Sequence, residues 1–188
     1  FILPVPGATL DGVIAFRDIQ DVRRMVSTAE GGGRAVVIGG GLLGLEAANG
    51  LRTLGMDVTV IHLMETLMER QLDEAAGFLL RRELEGRGIE VLTGATTEEI
   101  VGDEAVKGVK LKDGRTVPAD LVVMAAGIRP NIALARDAGL DCNRGIVVDD
   151  FMRTSDPSIL AVGECVEHRG QVYGLVAPIW EMCRAVGD

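Results

Sequence analysis

The stretch Ala35-Val36-Val37-Ile38-Gly39-Gly40-Gly41-Leu42-Leu43-Gly44-Leu45-Glu46 decides the fold of this chain. A short apolar β-type run leads into glycines at 39, 41 and 44, and a helix-forming run follows, the context in which a GxGxxG spacing binds a dinucleotide. Gly39 predicts a tight turn off the strand and Gly44 close packing of helix on sheet. Gly41, with Leu42 and Leu43 opening the helix, predicts backbone N–H groups against a pyrophosphate at the positive end of that helix. A glycine-rich turn in an ordinary βα unit is the plainer alternative.

The segments around the fingerprint extend the same pattern. Residues 43–54 read as its helix, with Ala47, Ala48 and Gly50 small enough to approach a sheet and Gly55 placed to cap the end. Residues 57–62 return as a second strand. A second helix is expected after the N-cap Asp73, with Ala76, Leu79, Leu80 and Leu84 on one face, and residues 89–92 form a third strand. Three strands joined by two helices make the βαβαβ half of a doubly wound parallel sheet.

Upstream, Ile19, Val22 and Val26 predict a linker helix over 17–28, and Gly31-Gly32-Gly33 breaks it before the fingerprint. Downstream, residues 98–101, 105–111 and 115–117 are short segments punctuated by Gly102-Asp103 and by Asp113-Gly114, a hairpin signal, so an antiparallel β-meander replaces a crossover helix. Residues 121–124 are uninterruptedly apolar, as a central parallel strand covered on both faces requires. The last third is less regular, with a short helix near 132–138, a strand near 146–148, and 159–162 leading into Gly163-Glu164. The expected fold class is α/β, a Rossmann-like doubly wound parallel sheet carrying a β-meander crossover, flanked by pieces of another domain.

Composition narrows the partners. With 188 residues and 47% hydrophobic content the chain can bury a full-sized core. A net charge of −9 argues against nucleic acid and anionic membrane, which require a clustered basic surface. Cys142, Cys165 and Cys183 are too far apart for a CxxC pair, a zinc site or an iron–sulfur cluster, and are read as buried or inert thiols. No metal site is expected. The sequence has no membrane-length apolar run and no basic leader, so a cytoplasmic location is the expectation. The chain starts at Phe1, without Met, and reads as a piece of a longer protein.

Two residues carry the cofactor reading further. The second strand of such a fold normally ends in an acid that accepts the adenosine ribose hydroxyls of NAD, and His62 stands there instead. A neutral imidazole can bond one hydroxyl, and a protonated one would tolerate a 2′-phosphate. No arginine or lysine follows until Arg70, which favours NAD(H) while leaving NADP possible, and a strand-end histidine without a ligand role is the alternative. Glu46, among Leu42, Leu43 and Leu45, is expected to face the amide of a nicotinamide; its alternative is a first-turn acid favouring the helix dipole. Neither His62 nor His168 has a motif serine or cysteine beside it, so no catalytic residue is expected in this chain and its chemistry belongs to bound cofactors. Met56, Met64 and Met68 are expected to fill core gaps.

The fingerprint, the meander, Val123-Met124-Ala125-Ala126-Gly127-Ile128-Arg129-Pro130-Asn131 and Thr154-Ser155-Asp156-Pro157-Ser158-Ile159-Leu160-Ala161-Val162-Gly163-Glu164-Cys165, in that order, resemble the pyridine nucleotide-disulfide oxidoreductase superfamily over nearly the whole chain. The resemblance implies an NAD domain at 31–145 inserted between FAD-domain segments, with 1–30 the exit from the first and 146–188 the start of the second. It further implies that Ala126 and Gly127 border the nicotinamide half, and that Gly163-Glu164 stands where the family has a Gly-Asp that holds FAD. The family's first FAD fingerprint is absent from this chain. The phrases Val60-Ile61-His62-Leu63-Met64-Glu65-Thr66-Leu67-Met68-Glu69-Arg70-Gln71-Leu72-Asp73 and Glu167-His168-Arg169-Gly170-Gln171-Val172-Tyr173-Gly174-Leu175-Val176-Ala177-Pro178 look most like assimilatory NAD(P)H-dependent nitrite reductases. That likeness implies hydride transfer from NADH to FAD, with sirohaem and iron–sulfur centres beyond this chain. A ferredoxin or rubredoxin reductase of the same superfamily, or a nucleotide-binding module without turnover, are the other readings, and the oligomeric state is undetermined.

Overall fold

A computed structural model describes residues 2–187. Contacts divide the chain into two compact units, residues 1–127 and 128–188.

The first unit runs β1 (Val13–Ala15), α1 (Ile19–Ala29), β2 (Arg34–Ile38), α2 (Leu42–Thr53), β3 (Asp57–Ile61), α3 (Glu74–Gly86), β4 (Ile89–Leu92), β5 (Thr97–Gly102), β6 (Val106–Leu111), β7 (Thr116–Pro118) and β8 (Leu121–Met124). The main sheet is wholly parallel, in the order β1-β8-β2-β3-β4. Residues 13–15, expected within a leading segment, form its edge strand, with Val13 in register with Val122. The meander is a separate antiparallel sheet, β5-β6-β7, as its turn signals predict.

Strand alternation explains why β8, and β2 after its exposed first residue Arg34, are buried throughout. Ala35, Val37 and Val123 pack with Leu45, Ala48, Leu51 and Leu84 of the helices. Their neighbours Val36, Ile38, Val122 and Met124 pack on the other face with Ile100, Val109 and Leu111 of the meander. A strand covered on both faces must be apolar at every covered position, and residues 35–38 and 121–124 are.

Helix ends follow local chemistry. Asp18 caps α1 by accepting from the N–H groups of Gln20 and Asp21, and the Asp21 carboxylate reaches back to the Asp18 N–H, a complete capping box. Asp73 caps α3 through the Ala76 N–H at 2.8 Å. Two apolar faces depart from expectation. On α1, Ile19 and Val26 are exposed and Met25 and Ala29 are the buried pair. On α3, Leu79 is exposed and Leu84 buried, with Leu80 partly so. In both helices the hydrophobic stripe is wider than the sheet covers, and the smaller or more central residues take the contact.

The second unit contains α4 (Ala133–Asp137), β9 (Ile146–Val148), β10 (Val166–His168), β11 (Gln171–Val172) and α5 (Val176–Gly187). β9 and β10 pair parallel and β10 and β11 antiparallel. Residues 159–162 form no strand; Leu160 makes only an isolated bridge to Arg153. Val148, Met152, Val166 and Met182 make one small core.

Candidate functional site

The glycine loop joins β2 to α2, and each of its glycines has a distinct reason. Gly39 adopts φ of 126°, and a Cβ there would lie 2.4 Å from the Ala125 carbonyl oxygen at the end of β8. At Gly44 a Cβ would lie 1.9 Å from the Gly39 carbonyl oxygen, so only glycine lets α2 start this close to the strand. Gly41 is the N-cap of α2, with φ of −89° and open space around its missing side chain, and no side chain caps the helix. The first N–H groups of a helix lack intrahelical partners, so this start presents donors and a positive dipole end to whatever anion enters the open space.

Gly40, which the fingerprint spacing leaves unspecified, is as constrained as the others. A Cβ would lie 2.6 Å from Leu67 Cδ2 and 2.7 Å from His62 Cγ. Three consecutive glycines where the fingerprint demands two are the signal that marks it in the sequence. Its N–H donates to His62 Nδ1 at 3.0 Å, and its carbonyl accepts the Met68 N–H at 3.0 Å.

His62 follows directly on β3, where an acid was the ordinary expectation, and is buried at 8% exposure. Its Nε2 lies 3.1 Å from Glu69 Oε2, and the Glu69 side chain retains 34% exposure. Glu65, the first acid after the strand, points elsewhere and covers Gly94. Beside the loop is a cavity of about 350 Å³ lined by Leu3, Val5, Ile38, Gly39, Ile61, His62, Leu63, Met64, Glu69, Ala95, Thr96, Thr97 and Ala126. Its lining contains one carboxylate and no arginine or lysine. Thr97 Oγ1 is buried there without a hydrogen-bond partner. A larger cleft of about 660 Å³ runs along the start of α3 at Glu65, Thr66, Asp73, Glu74, Phe78 and Arg81, but it has no glycine loop, and the Asp73 carboxylate already caps that helix start.

The structure therefore brings Gly39, Gly41, Leu42, Leu43, Gly44, His62 and Ala126 together at the carboxyl ends of β2, β3 and β8, where ligands enter open α/β sheets. Gly127, with φ of 97°, ends this unit. Glu46 lies on α2 and is solvent-exposed, as are Leu42 and Leu43, so the apolar cleft expected around it is not formed by its own neighbours. Among the methionines, Met56 is fully buried and Met68 packs against the core, whereas Met64 is exposed and lines the cavity.

A family model described as pyridine nucleotide-disulphide oxidoreductase matches residues 1–177. The chain belongs to this family. The nitrite reductase [NAD(P)H] of Bacillus subtilis is 58% identical over 99% of this chain and 23% of its own length. The assimilatory nitrate reductase electron transfer subunit of the same organism is 52% identical over 100% of this chain and 24% of its own. Among solved structures, the NAD-dependent persulfide reductase from A. fulgidus superposes with a TM-score of 0.94 at 35% identity, over 100% of this chain and 36% of that one. The chain thus spans about a quarter of the curated relatives it matches.

The remaining residues expected in the oxidoreductase site lie in the second unit. Gly163 has φ of 110° and its carbonyl accepts the Val166 N–H, with Glu164 half-buried beside it. Nearby, Glu167 is buried and accepts from the N–H groups of Gly145 and Arg144, which hold its carboxyl below its usual value against the opposing effect of burial. The thiols are less enclosed than expected, since Cys142 and Cys165 are half-buried and Cys183 is exposed. Among the described residues no cluster of histidine, cysteine, aspartate and glutamate could hold a metal ion, and no helix is long and apolar enough to cross a membrane.

Proposed function

We propose that this chain is the NAD(P)H-binding part of a flavoprotein nitrite reductase, and that the open start of α2 at Gly41 receives the pyrophosphate of the dinucleotide. The glycine loop carries the reading: three of its glycines are fixed by contact or by positive φ, while Gly41 alone stands beside open space with uncapped helix N–H groups behind it. A scaffold built this tightly around an open anion-sized place is what a pyrophosphate needs.

In this reading the adenosine half lies at the His62 end of the cavity, the nicotinamide half is bordered by Glu46, Ala126 and Gly127, and NADH rather than NADPH is the donor. NAD(P)H bound here supplies a hydride that FAD accepts in the full protein. The chain's own residues bind and orient the dinucleotide; none takes a proton. In this reading residues 31–145 are the nucleotide domain, whose sheet takes β1 as its edge strand, 1–30 and 146–188 are the segments that lead out of and into an FAD domain, and Gly163-Glu164 contributes to holding FAD. Nitrite is the final acceptor, reached through sirohaem and iron–sulfur centres outside this chain, in a cytoplasmic enzyme. The 58% identity to a nitrite reductase supports that acceptor, while the 52% identity to a nitrate reductase electron transfer subunit favours, as a second reading, delivery of the electrons to a partner protein.

The test uses the full-length protein. NADH titration followed by its fluorescence is expected to saturate in the wild type, and Gly41→Val is expected to abolish the change while the protein stays folded, because a Cβ at 41 meets no protein atom within 4 Å and the poorer N-cap costs only about 1 kcal/mol. Binding that survives this substitution overturns the site. Steady-state nitrite consumption with NADH then separates the two acceptors.

A further inference from the structure

We propose that Glu69, held in place by His62, is the group that receives the adenosine ribose hydroxyls and makes this site select NADH over NADPH. The inference rests on the dinucleotide reading of the glycine loop and adds to it the residue that recognises the ribose.

The hydrogen-bond partners of His62 leave it nothing to offer a ligand. The Gly40 backbone N–H can only donate, so Nδ1 is the acceptor and carries no proton. The ring proton is then on Nε2, from which it is donated to Glu69 Oε2. Both ring nitrogens are satisfied within the protein and the ring is buried at 8% exposure. The imidazole standing at the usual acid position is therefore a positioning residue, and the negative charge of the site is displaced onto a carboxylate seven residues further along.

Glu69 has what His62 lacks. Among the described residues only its Oε2 is engaged, with His62, and its side chain is 34% exposed at a cavity whose lining also holds Gly39, Leu63, Met64 and Ala126. The backbone beside it is fastened to the phosphate loop, since the Met68 N–H donates to the Gly40 carbonyl and Met68 adopts φ of 52°, a left-handed conformation that a methionine keeps only when its surroundings hold it. Gly40 thus bonds both the histidine and the segment that carries the carboxylate. A carboxylate oxygen accepts hydrogen bonds from a pair of ribose hydroxyls, whereas a 2′-phosphate would face a like charge with no cation lining the cavity to offset it.

The experiment measures NADH and NADPH dissociation constants in parallel by calorimetry on the full-length protein. Glu69→Gln keeps the shape and removes the charge, and is expected to weaken NADH and strengthen NADPH, moving the preference by about tenfold or more, the scale of one hydrogen bond to a charged acceptor. His62→Asn retains an acceptor for the Gly40 N–H but cannot reach Glu69, and is expected to shift the preference the same way; His62→Gln supplies an N–H near the Nε2 position and is expected to restore it. A preference unchanged in Glu69→Gln, while Gly41→Val still abolishes binding, overturns this inference and leaves the dinucleotide site standing. Identical preferences in the two His62 variants overturn the positioning role. Failure of the wild type to bind either nucleotide overturns both the site and the inference built on it.

Discussion

The Gly40 N–H and His62 Nδ1 meet at 3.0 Å, so the phosphate loop and the end of the adjacent strand are one hydrogen-bonded unit. This contact needs a glycine at 40, because any Cβ would press on the imidazole it bonds.

Gly40→Ala is accordingly expected to destabilise the fold by about 1–3 kcal/mol, as overpacking does, because the added methyl meets Leu67 and His62 inside 3 Å. It should also weaken NADH binding by displacing His62. Urea unfolding and nucleotide titration of the same variant check both effects.

Gly44→Ala acts on a harder obstacle. Its methyl meets the Gly39 carbonyl oxygen, a backbone atom, at 1.9 Å, so relief requires α2 to move off β2. The expected loss is at least as large as for Gly40→Ala, about 2–3 kcal/mol or more. Gly41→Val, larger but beside open space, should cost only about 1 kcal/mol or less through the poorer N-cap, and the three variants compared in one denaturant series test the distinction.

Asp18→Ala removes the acceptor of the α1 capping box and should cost about 1 kcal/mol. Asp18→Asn should recover most of it, since an amide oxygen still accepts from Gln20 and Asp21. Thermal unfolding of the three proteins reads the order.

Asp150 should give the second unit a pH dependence. Arg169, with two bonds, and then His168 hold its carboxyl down to about 2. A depressed carboxyl stabilises the fold above its unfolded value of 3.8, and that contribution is lost as pH falls from there through about 2. Asp150→Asn should be less stable than wild type at neutral pH, with the difference shrinking below pH ~4. Unfolding midpoints of both proteins over that range test the sign.

Much of the first unit was legible because its determinants are local. Gly39 and Gly44, the apolar run at residues 35–38, the cap Asp73, and the Asp113-Gly114 turn each act within a few residues, so their elements formed where the pattern placed them. Burial of α1 and α3 was not legible, because both stripes contain more apolar residues than one face can cover. Which of Ile19, Met25 and Val26 is buried depends on where the sheet lies.

The sequence by itself determined a parallel α/β unit with a glycine-rich loop at the carboxyl end of its first long strand, since continuous apolar runs, helix caps and glycine spacing are properties of neighbouring residues. Only the tertiary structure decided what His62 does. Its two partners come from a loop 22 residues earlier and a side chain seven residues later, and their meeting depends on β2 and β3 lying in register. A sequence shows that a histidine replaces an acid; the fold shows that both its nitrogens are occupied, and that an exposed carboxylate stands beside it.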